Sequence, residues 1–205
     1  MKKAIVSGAN GFIGSAVVRE LLKNEYEIIA LDREGCSGNL PQDKKVQFVP
    51  CELSETPYLK DKLPRKSYDV FYHFAWAGSA GPARADTALQ LQNAQWTVDA
   101  LRMAKELDCK RFLCAGSIME HETMAAAYAP GNRPGQGYIY GGGKLIAHVM
   151  CMSVAAQIGI DLIWPEITNA YGIGERSPRL INTTIQKCIR GEAPQFTAGT
   201  QNYDF

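Results

Sequence analysis

Apolar residues recur along the chain in two alternating rhythms. Short, nearly continuous runs at Lys3–Ser7, Glu27–Asp32, Val46–Val49, Val70–Ala75, Arg111–Ala115 and Asp161–Trp164 have the length and content of strands buried on both faces. Between them, Phe12–Lys23, about Asp86–Leu107 and about Tyr140–Ile158 place apolar residues at helical spacing. The Gly- and Pro-rich stretch between Ala129 and Gly137 reads as a loop. Strand and helix in alternation predict an α/β fold, a doubly wound parallel sheet with right-handed crossovers. The pattern changes after Tyr171. Gly172-Ile173-Gly174 and Ser177-Pro178 mark a boundary, followed by a helix near Leu180–Arg190 and a short strand at Thr197. The expectation is a sheet domain over residues 1–170 and only the beginning of a smaller lobe over 171–205.

Composition narrows the function classes. The 205 residues carry a formal charge of +1, with 46% hydrophobic and 21% charged positions. Near-neutral charge supplies no electrostatic case for nucleic acid or an acidic membrane surface as the main partner. The apolar run after Lys2-Lys3 breaks at Ser7-Gly8, too early for a secretory leader. No stretch approaches the roughly 18 apolar residues that a bilayer span requires. A cytoplasmic protein without a membrane partner is expected. Six cysteines are scattered without a Cys-x-x-Cys pair, and His73, His121 and His148 do not join them at ligand spacing. Reduced, mostly buried thiols and no metal follow.

The sharpest local pattern is Gly8-Ala9-Asn10-Gly11-Phe12-Ile13-Gly14, between the first strand and the first helix. One glycine makes the tight turn, one lets backbone approach a pyrophosphate, and one lets helix and strand pack closely. The pyrophosphate then rests on the positive end of the helix, where free N–H groups meet it. The motif points to a Rossmann-type dinucleotide site formed by Gly8, Asn10, Gly11, Phe12, Ile13 and Gly14. Asp32 ends the second strand, about 20 residues past the loop, where its carboxylate can accept from adenosine ribose hydroxyls. That carboxylate repels a 2′-phosphate and favours NAD. Arg33 beside it could instead hold the phosphate, which leaves NADP as the alternative.

A second constellation carries the chemistry. Tyr140 and Lys144 stand four positions apart and so share a helix face. A lysine ammonium beside a tyrosine favours the phenolate, making Tyr140 a candidate acid/base. Ser117 ends the fifth strand, where ligands of doubly wound sheets bind, and could donate to a substrate oxygen as charge develops. Tyr58 and Lys62 repeat the spacing but have no strand-end serine in the matching order, and are read as a surface coincidence.

Taken together, these motifs resemble the extended short-chain dehydrogenase/reductase family, in its NAD-dependent epimerase/dehydratase branch. The resemblance rests on Gly8, Gly11, Gly14, Asp32, Glu52-Leu53, His73-Phe74-Ala75, Asn93 with Thr97, Ser117, Tyr140-Gly141-x-x-Lys144 and Asn169-Ala170-Tyr171-Gly172. It implies that Glu52 and Leu53 contact the adenine. Ala75, Trp76, Ala77 and Asn93 would line the cofactor cleft. Tyr140 and Lys144 would also touch the cofactor, Lys144 through the nicotinamide ribose. Asn169 would meet a substrate diphosphate, and Arg179 would join it and Ser117 at the substrate, a nucleotide-diphosphate sugar. A homodimer built on the helices flanking the active-site loop is a further implication. Asn202-Tyr203-Asp204-Phe205 resembles a segment after which relatives continue into their substrate lobe.

Departures from the family pattern narrow the reaction. Ile118 and Met119 stand where dehydratases carry an Asp-Glu pair, and neither can transfer a proton, which disfavours a 4,6-dehydratase. Glu166 stands where many relatives have Arg. Gly143 replaces a common Ser, at an expected cost of helix propensity alone. The resulting expectation is an NAD-dependent nucleotide-sugar epimerase with Ser117, Tyr140 and Lys144 as catalytic residues. The alternatives are an NAD(P)H-dependent 4-keto-sugar reductase and a dinucleotide-binding sensor without turnover.

Overall fold

A computed structural model describes residues 2–64, 67–175, 177, 180–196, 198 and 199. Six parallel strands form one sheet: β1 (Lys3–Ser7), β2 (Glu27–Asp32), β3 (Val46–Pro50), β4 (Val70–His73), β5 (Arg111–Cys114) and, past a two-residue β6 (Gly116–Ser117), β7 (Asp161–Ile163). Their order across the sheet is β3-β2-β1-β4-β5-β7. The order of winding therefore reverses between β1 and β4, which pair in parallel from Ala4 with Val70 to Ser7 with His73. That reversal opens a crevice at the carboxyl ends of the two strands, where such folds bind ligands.

Alternation explains why the strand runs are continuously apolar. Ile5, Ile29 and Leu31 face one core with Leu59, Val98, Leu101, Phe112 and Cys151. Ala4, Val6, Ile28 and Ala30 face the other, with Val18 and Leu21. The first core is covered by α2 (Leu59–Lys62), α3 (Thr87–Glu106) and α5 (Gly137–Ile158), the second by α1 (Phe12–Lys23). Burial on both faces leaves no polar side to alternate.

The structure reveals a helix where the sequence reading placed no element: α4 (Met119–Tyr128). It packs on α5 at Gly141, where a Cβ would stand 2.1 Å from Thr123 Oγ1 and 2.6 Å from the Met119 carbonyl oxygen. The helix expected from Tyr140 begins at Gly137. At 22 residues, α5 is long and apolar enough by composition to cross a bilayer, which corrects the expectation that no such segment exists. Here it is a core helix. Gly141, Lys144, Ala147, Cys151 and Ala155 recur at helical spacing as its buried stripe, and α3 and α4 pack against it.

The chain divides into two compact units between Glu166 and Ile167, just ahead of the boundary expected after residue 170. The second unit contains the end of β8 (Glu166–Ile167) and α6 (Leu180–Ile189). Ahead of α6, the Asn182 amide donates to the Ser177 carbonyl at 2.9 Å. The strand expected at Thr197 lies outside the described residues, as do Asn202–Phe205.

Candidate active site

The glycine loop has the geometry its spacing implies. Gly8 takes φ +67°, and a Cβ on it would lie 2.6 Å from the Ala75 nitrogen, main chain that cannot swing away. A Cβ on Gly14 would lie 2.1 Å from the Gly8 carbonyl oxygen, so only glycine lets α1 close on the loop. Gly11 caps α1 and has just one neighbour in reach, the Gly8 oxygen at 3.2 Å, which leaves its remaining approach open. The first turn of α1 carries no acidic side chain, so nothing there competes for the helix-end N–H groups of Phe12, Ile13 and Gly14. A pyrophosphate fits this cradle.

Asp32 stands at the tip of β2, above the loop. One carboxylate oxygen accepts the Asn10 N–H at 2.9 Å, the other the Arg33 N–H at 2.9 Å. Each oxygen keeps a lone pair for a further donor. The Asn10 side chain is engaged elsewhere: its oxygen accepts the Asn39 N–H at 2.7 Å, and Asn39 donates back to the Asn10 carbonyl at 2.8 Å. Asn10 thus clasps the loop, with its main-chain N–H and carbonyl committed to Asp32 and Asn39. Glu52 and Leu53 follow β3, the first exposed and the second half-buried, with the Glu52 N–H donating to Glu55 at 2.9 Å.

Past β4, Ala75, Trp76 and Ala77 border the same crevice. Asn93 lies 1% exposed and spends its amide on Ala77, accepting from its N–H at 2.9 Å and donating to its carbonyl at 2.8 Å. It therefore shapes the cleft wall from behind. Gln90 does the same for the next turn, accepting from the Trp76 indole at 2.8 Å and donating to Ala83 and Gly78. His73 closes β4 from within, 2% exposed, bonded to Ser7 Oγ at 2.7 Å. Burial, reinforced by the Lys144 charge, pushes its pKa down to about 3, so it stays neutral.

Trp76 joins the catalytic candidates. Its ring lies 3.7 Å beneath Lys144 Nζ and 6.0 Å, edge-on, from the Tyr140 ring. Lys144 Nζ, in a residue 5% exposed, also donates to the Ala115 carbonyl at 2.8 Å, two positions before Ser117. Burial lowers the Lys144 pKa from the ordinary lysine value. Ser117 is buried, and its Oγ accepts the Met119 N–H at 3.3 Å, leaving the hydroxyl proton free to donate. The structure therefore brings Tyr140 and Lys144 together on Trp76, with Ser117 two residues beyond the carbonyl that Lys144 meets.

Three neighbours of this set have no place in the sequence reading. Arg84 Cζ sits 4.2 Å from the Tyr140 ring centre, so a second cation flanks the phenol. Glu120 is buried behind Ser117 and accepts its N–H at 2.8 Å. Gln90 buttresses Trp76 as described. Glu120, His148 and Glu166 bring oxygen and nitrogen atoms within 4.8 Å of one another. Within and beside this group, His148 is bonded to Glu120 at 2.8 Å and His121 to Glu166 at 2.7 Å. Asn169 lies half-buried in the second unit. Arg179 falls outside the described residues.

Compared with known proteins, residues 4–205 match the NAD dependent epimerase/dehydratase family. The chain belongs to that family. Within the family, it is 25% identical to UDP-glucuronic acid decarboxylase 6 of Arabidopsis thaliana over 99% of its own length and 62% of the relative's. It is 23% identical to a putative UDP-glucose 4-epimerase of Methanocaldococcus jannaschii, covering 98% of this chain and 68% of that one. The solved structure of UDP-N-acetylglucosamine 4-epimerase from Methanobrevibacter ruminantium M1 superposes with a TM-score of 0.76 at 20% identity, covering 94% of this chain and 64% of the other. These likenesses confirm the family fold. The chain spans under two thirds of the length of the plant relatives it matches.

Proposed function

We propose that this family member is an NAD-dependent nucleotide-diphosphate-sugar epimerase, with Tyr140 as acid/base. The observation that carries the reading is the buried Lys144, packed on the Trp76 ring that also meets Tyr140 and bonded to the main chain leading to Ser117. A cofactor-binding module without chemistry has no use for a buried cation beside a phenol and a strand-end hydroxyl.

The division of labour follows from the geometry. The Gly8–Gly14 loop and the start of α1 hold the dinucleotide's phosphates, and Asp32 accepts from its adenosine ribose. NAD, when bound by these residues, would supply the hydride acceptor and donor for the sugar carbon. Ser117 donates to the substrate oxygen. Tyr140 takes the hydroxyl proton and later restores it. Lys144 and Arg84 place positive charge near the phenol, favouring the phenolate that abstracts. The carboxylate of Asp32 disfavours a 2′-phosphate and so selects NAD over NADP.

Ile118 and Met119 follow Ser117 without a proton-transferring group, which argues against water elimination. The curated relatives include UDP-glucuronic acid decarboxylases and UDP-glucose 4-epimerases, one of the latter putative, and UDP-sugars are accordingly the first substrates to test. The test is turnover of a panel of nucleotide sugars by the full-length gene product with substoichiometric NAD, beside Tyr140→Phe. Removal of the acid/base is expected to lower kcat by roughly 100-fold or more. Undiminished turnover in Tyr140→Phe would remove this mechanism. Stoichiometric consumption of NADH or NADPH would replace the epimerase with a keto-sugar reductase.

A further inference from the structure

Behind Ser117, three elements bring side chains that can ligate a metal to one point. Glu120 in the first turn of α4, His148 of α5 and Glu166 of β8 each place one donor atom within 4.8 Å of the other two. The Gly116 N–H donates to the Pro165 carbonyl at 2.9 Å, which draws β8 alongside β6. His121, the next residue of α4, meets Glu166 at 2.7 Å. The donors are held from behind. Glu120 is 2% exposed, and its Oε1 accepts the Ser117 N–H at 2.8 Å and the Trp164 indole N–H at 3.1 Å. Its Oε2 is the oxygen that faces His148 Nδ1, at 2.8 Å. The His148 ring lies flat on Trp164, centroids 4.5 Å apart and planes 4° from parallel. Gly116 leaves room for that stack, since a Cβ there would stand 2.4 Å from Trp164 Nε1. Bonds and packing of this kind orient ligands before an ion arrives. Among the described residues, the ion-pair partners of Glu120 and Glu166 are histidines, and no lysine or arginine pairs with either.

We propose that Glu120, His148 and Glu166 form a structural site for a divalent first-row transition ion, zinc before others, with His121 beside it as a further imidazole. Two carboxylate oxygens and an imidazole nitrogen are a donor set that zinc accepts at tetrahedral distances. The imidazole disfavours magnesium and calcium, which take oxygen. An ion held there ties α4, α5 and β8 together around the main chain that carries Ser117. Its ligands come from three elements that part on unfolding, so its binding free energy stabilises the fold. Cysteine and histidine spacing in the sequence gives no sign of such a site, because two of its three ligands are carboxyl groups on separate elements. The inference stands apart from the epimerase reading and borrows nothing from it.

The experiment uses the full-length gene product, purified without a histidine tag, stripped with a chelator and titrated with zinc chloride. One zinc ion per chain is expected to bind and to survive gel filtration, and the urea midpoint should rise with free zinc. Cobalt(II) in its place should give the visible bands of a nitrogen–oxygen site, without the charge-transfer band that a thiolate ligand adds. Trp164→Phe keeps a ring against His148 and removes the N–H on Glu120, and should weaken zinc by roughly 10-fold. Glu166→Gln and His148→Gln each remove a ligand and should weaken it by more than that; the first alters an exposed side chain. Unchanged affinity in both ligand variants, or loss of binding in Cys188→Ser, overturns the proposal. So does a stripped wild type that takes up no zinc, a measurement that needs no variant to fold. Failure of the protein to turn over any nucleotide sugar would sink the epimerase reading and leave these zinc measurements as they are.

Discussion

Lowering the pH from 7.5 to 5 should destabilise this fold through one side chain, His73. The ring is 2% exposed, bonded to Ser7 Oγ at 2.7 Å, stacked 5.8 Å from Phe112, and held near pKa 3 by burial and then by the Lys144 charge. An unfolded histidine titrates near 6.5. As the pH falls through 6.5 the unfolded chain takes up a proton that the folded one refuses. Stability is thus complete above 6.5 and lost progressively toward pH 3. The loss amounts to about 1.4 kcal/mol at pH 5.5 and about 2 kcal/mol at pH 5, a large share of an ordinary domain's stability. Asp69, whose carboxyl is held low by the Lys3 N–H and by Lys110, contributes only in more acid solution. The assay is urea unfolding across pH 5 to 7.5, beside His73→Phe. The variant keeps a ring against Phe112 but strands Ser7 Oγ, and should start about 1–3 kcal/mol lower at pH 7.5. Its stability should then decline less than the wild type's, by about 2 kcal/mol at pH 5. Parallel pH curves for the two proteins would refute the assignment.

Two further outcomes are expected. At Gly143, a Cβ would stand 3.0 Å from both Cβ and the carbonyl oxygen of Gln90, so α3 and α5 pack closely here. Gly143→Ser should accordingly lower stability by about 1–2 kcal/mol in urea melts, where propensity alone would raise it by a few tenths; a stabilised variant contradicts the packing argument. Among the six cysteines, Cys188 is exposed, whereas Cys109 and Cys114 are buried with thiols pushed up to about 12. A thiol reagent at pH 8 should label Cys188 within minutes and leave Cys109 and Cys114 unmodified until the fold is opened, as peptide mass spectrometry would read.

Legibility followed the range of the physics. All six sheet strands could be anticipated because burial on both faces forces long apolar runs, and their parallel arrangement because βα alternation leaves one handedness of crossover; their order came from the structure. The glycine loop was equally plain, since Gly8 and Gly14 exist to let main chain touch main chain, and no other residue type can do that. Helix α4 was passed over even though Met119–Tyr128 is rich in Glu, Met and Ala, all helix formers. Its buried contacts are few, Glu120 and Ala126, so it shows no apolar stripe to count. Gly143 was judged by propensity because sequence carries no hint of how near α3 would come.

The same limit separates the proposed reacting groups from the residues around them. Ser117, Tyr140 and Lys144 stand out in the sequence because helical spacing and strand ends are local facts. Glu120, Gln90 and Asn93 act across the fold: Glu120 reaches Trp164, distant by 44 positions, and Gln90 reaches Trp76, distant by 14. Asn93 was placed correctly on α3 but assigned to the cleft, when its whole amide is committed to Ala77. A polar side chain in an apolar helix stripe is the trace such residues leave in sequence. Burial of Gln90, Asn93 and Thr97 on one face of α3 shows that trace could have been followed. Gln90 and Asn93 fix the loop after β4 by their hydrogen bonds, while Thr97 bonds to the Asn93 carbonyl and to His73. Helix α3 is therefore the one on which the geometry of Trp76, and with it of Lys144 and Tyr140, depends.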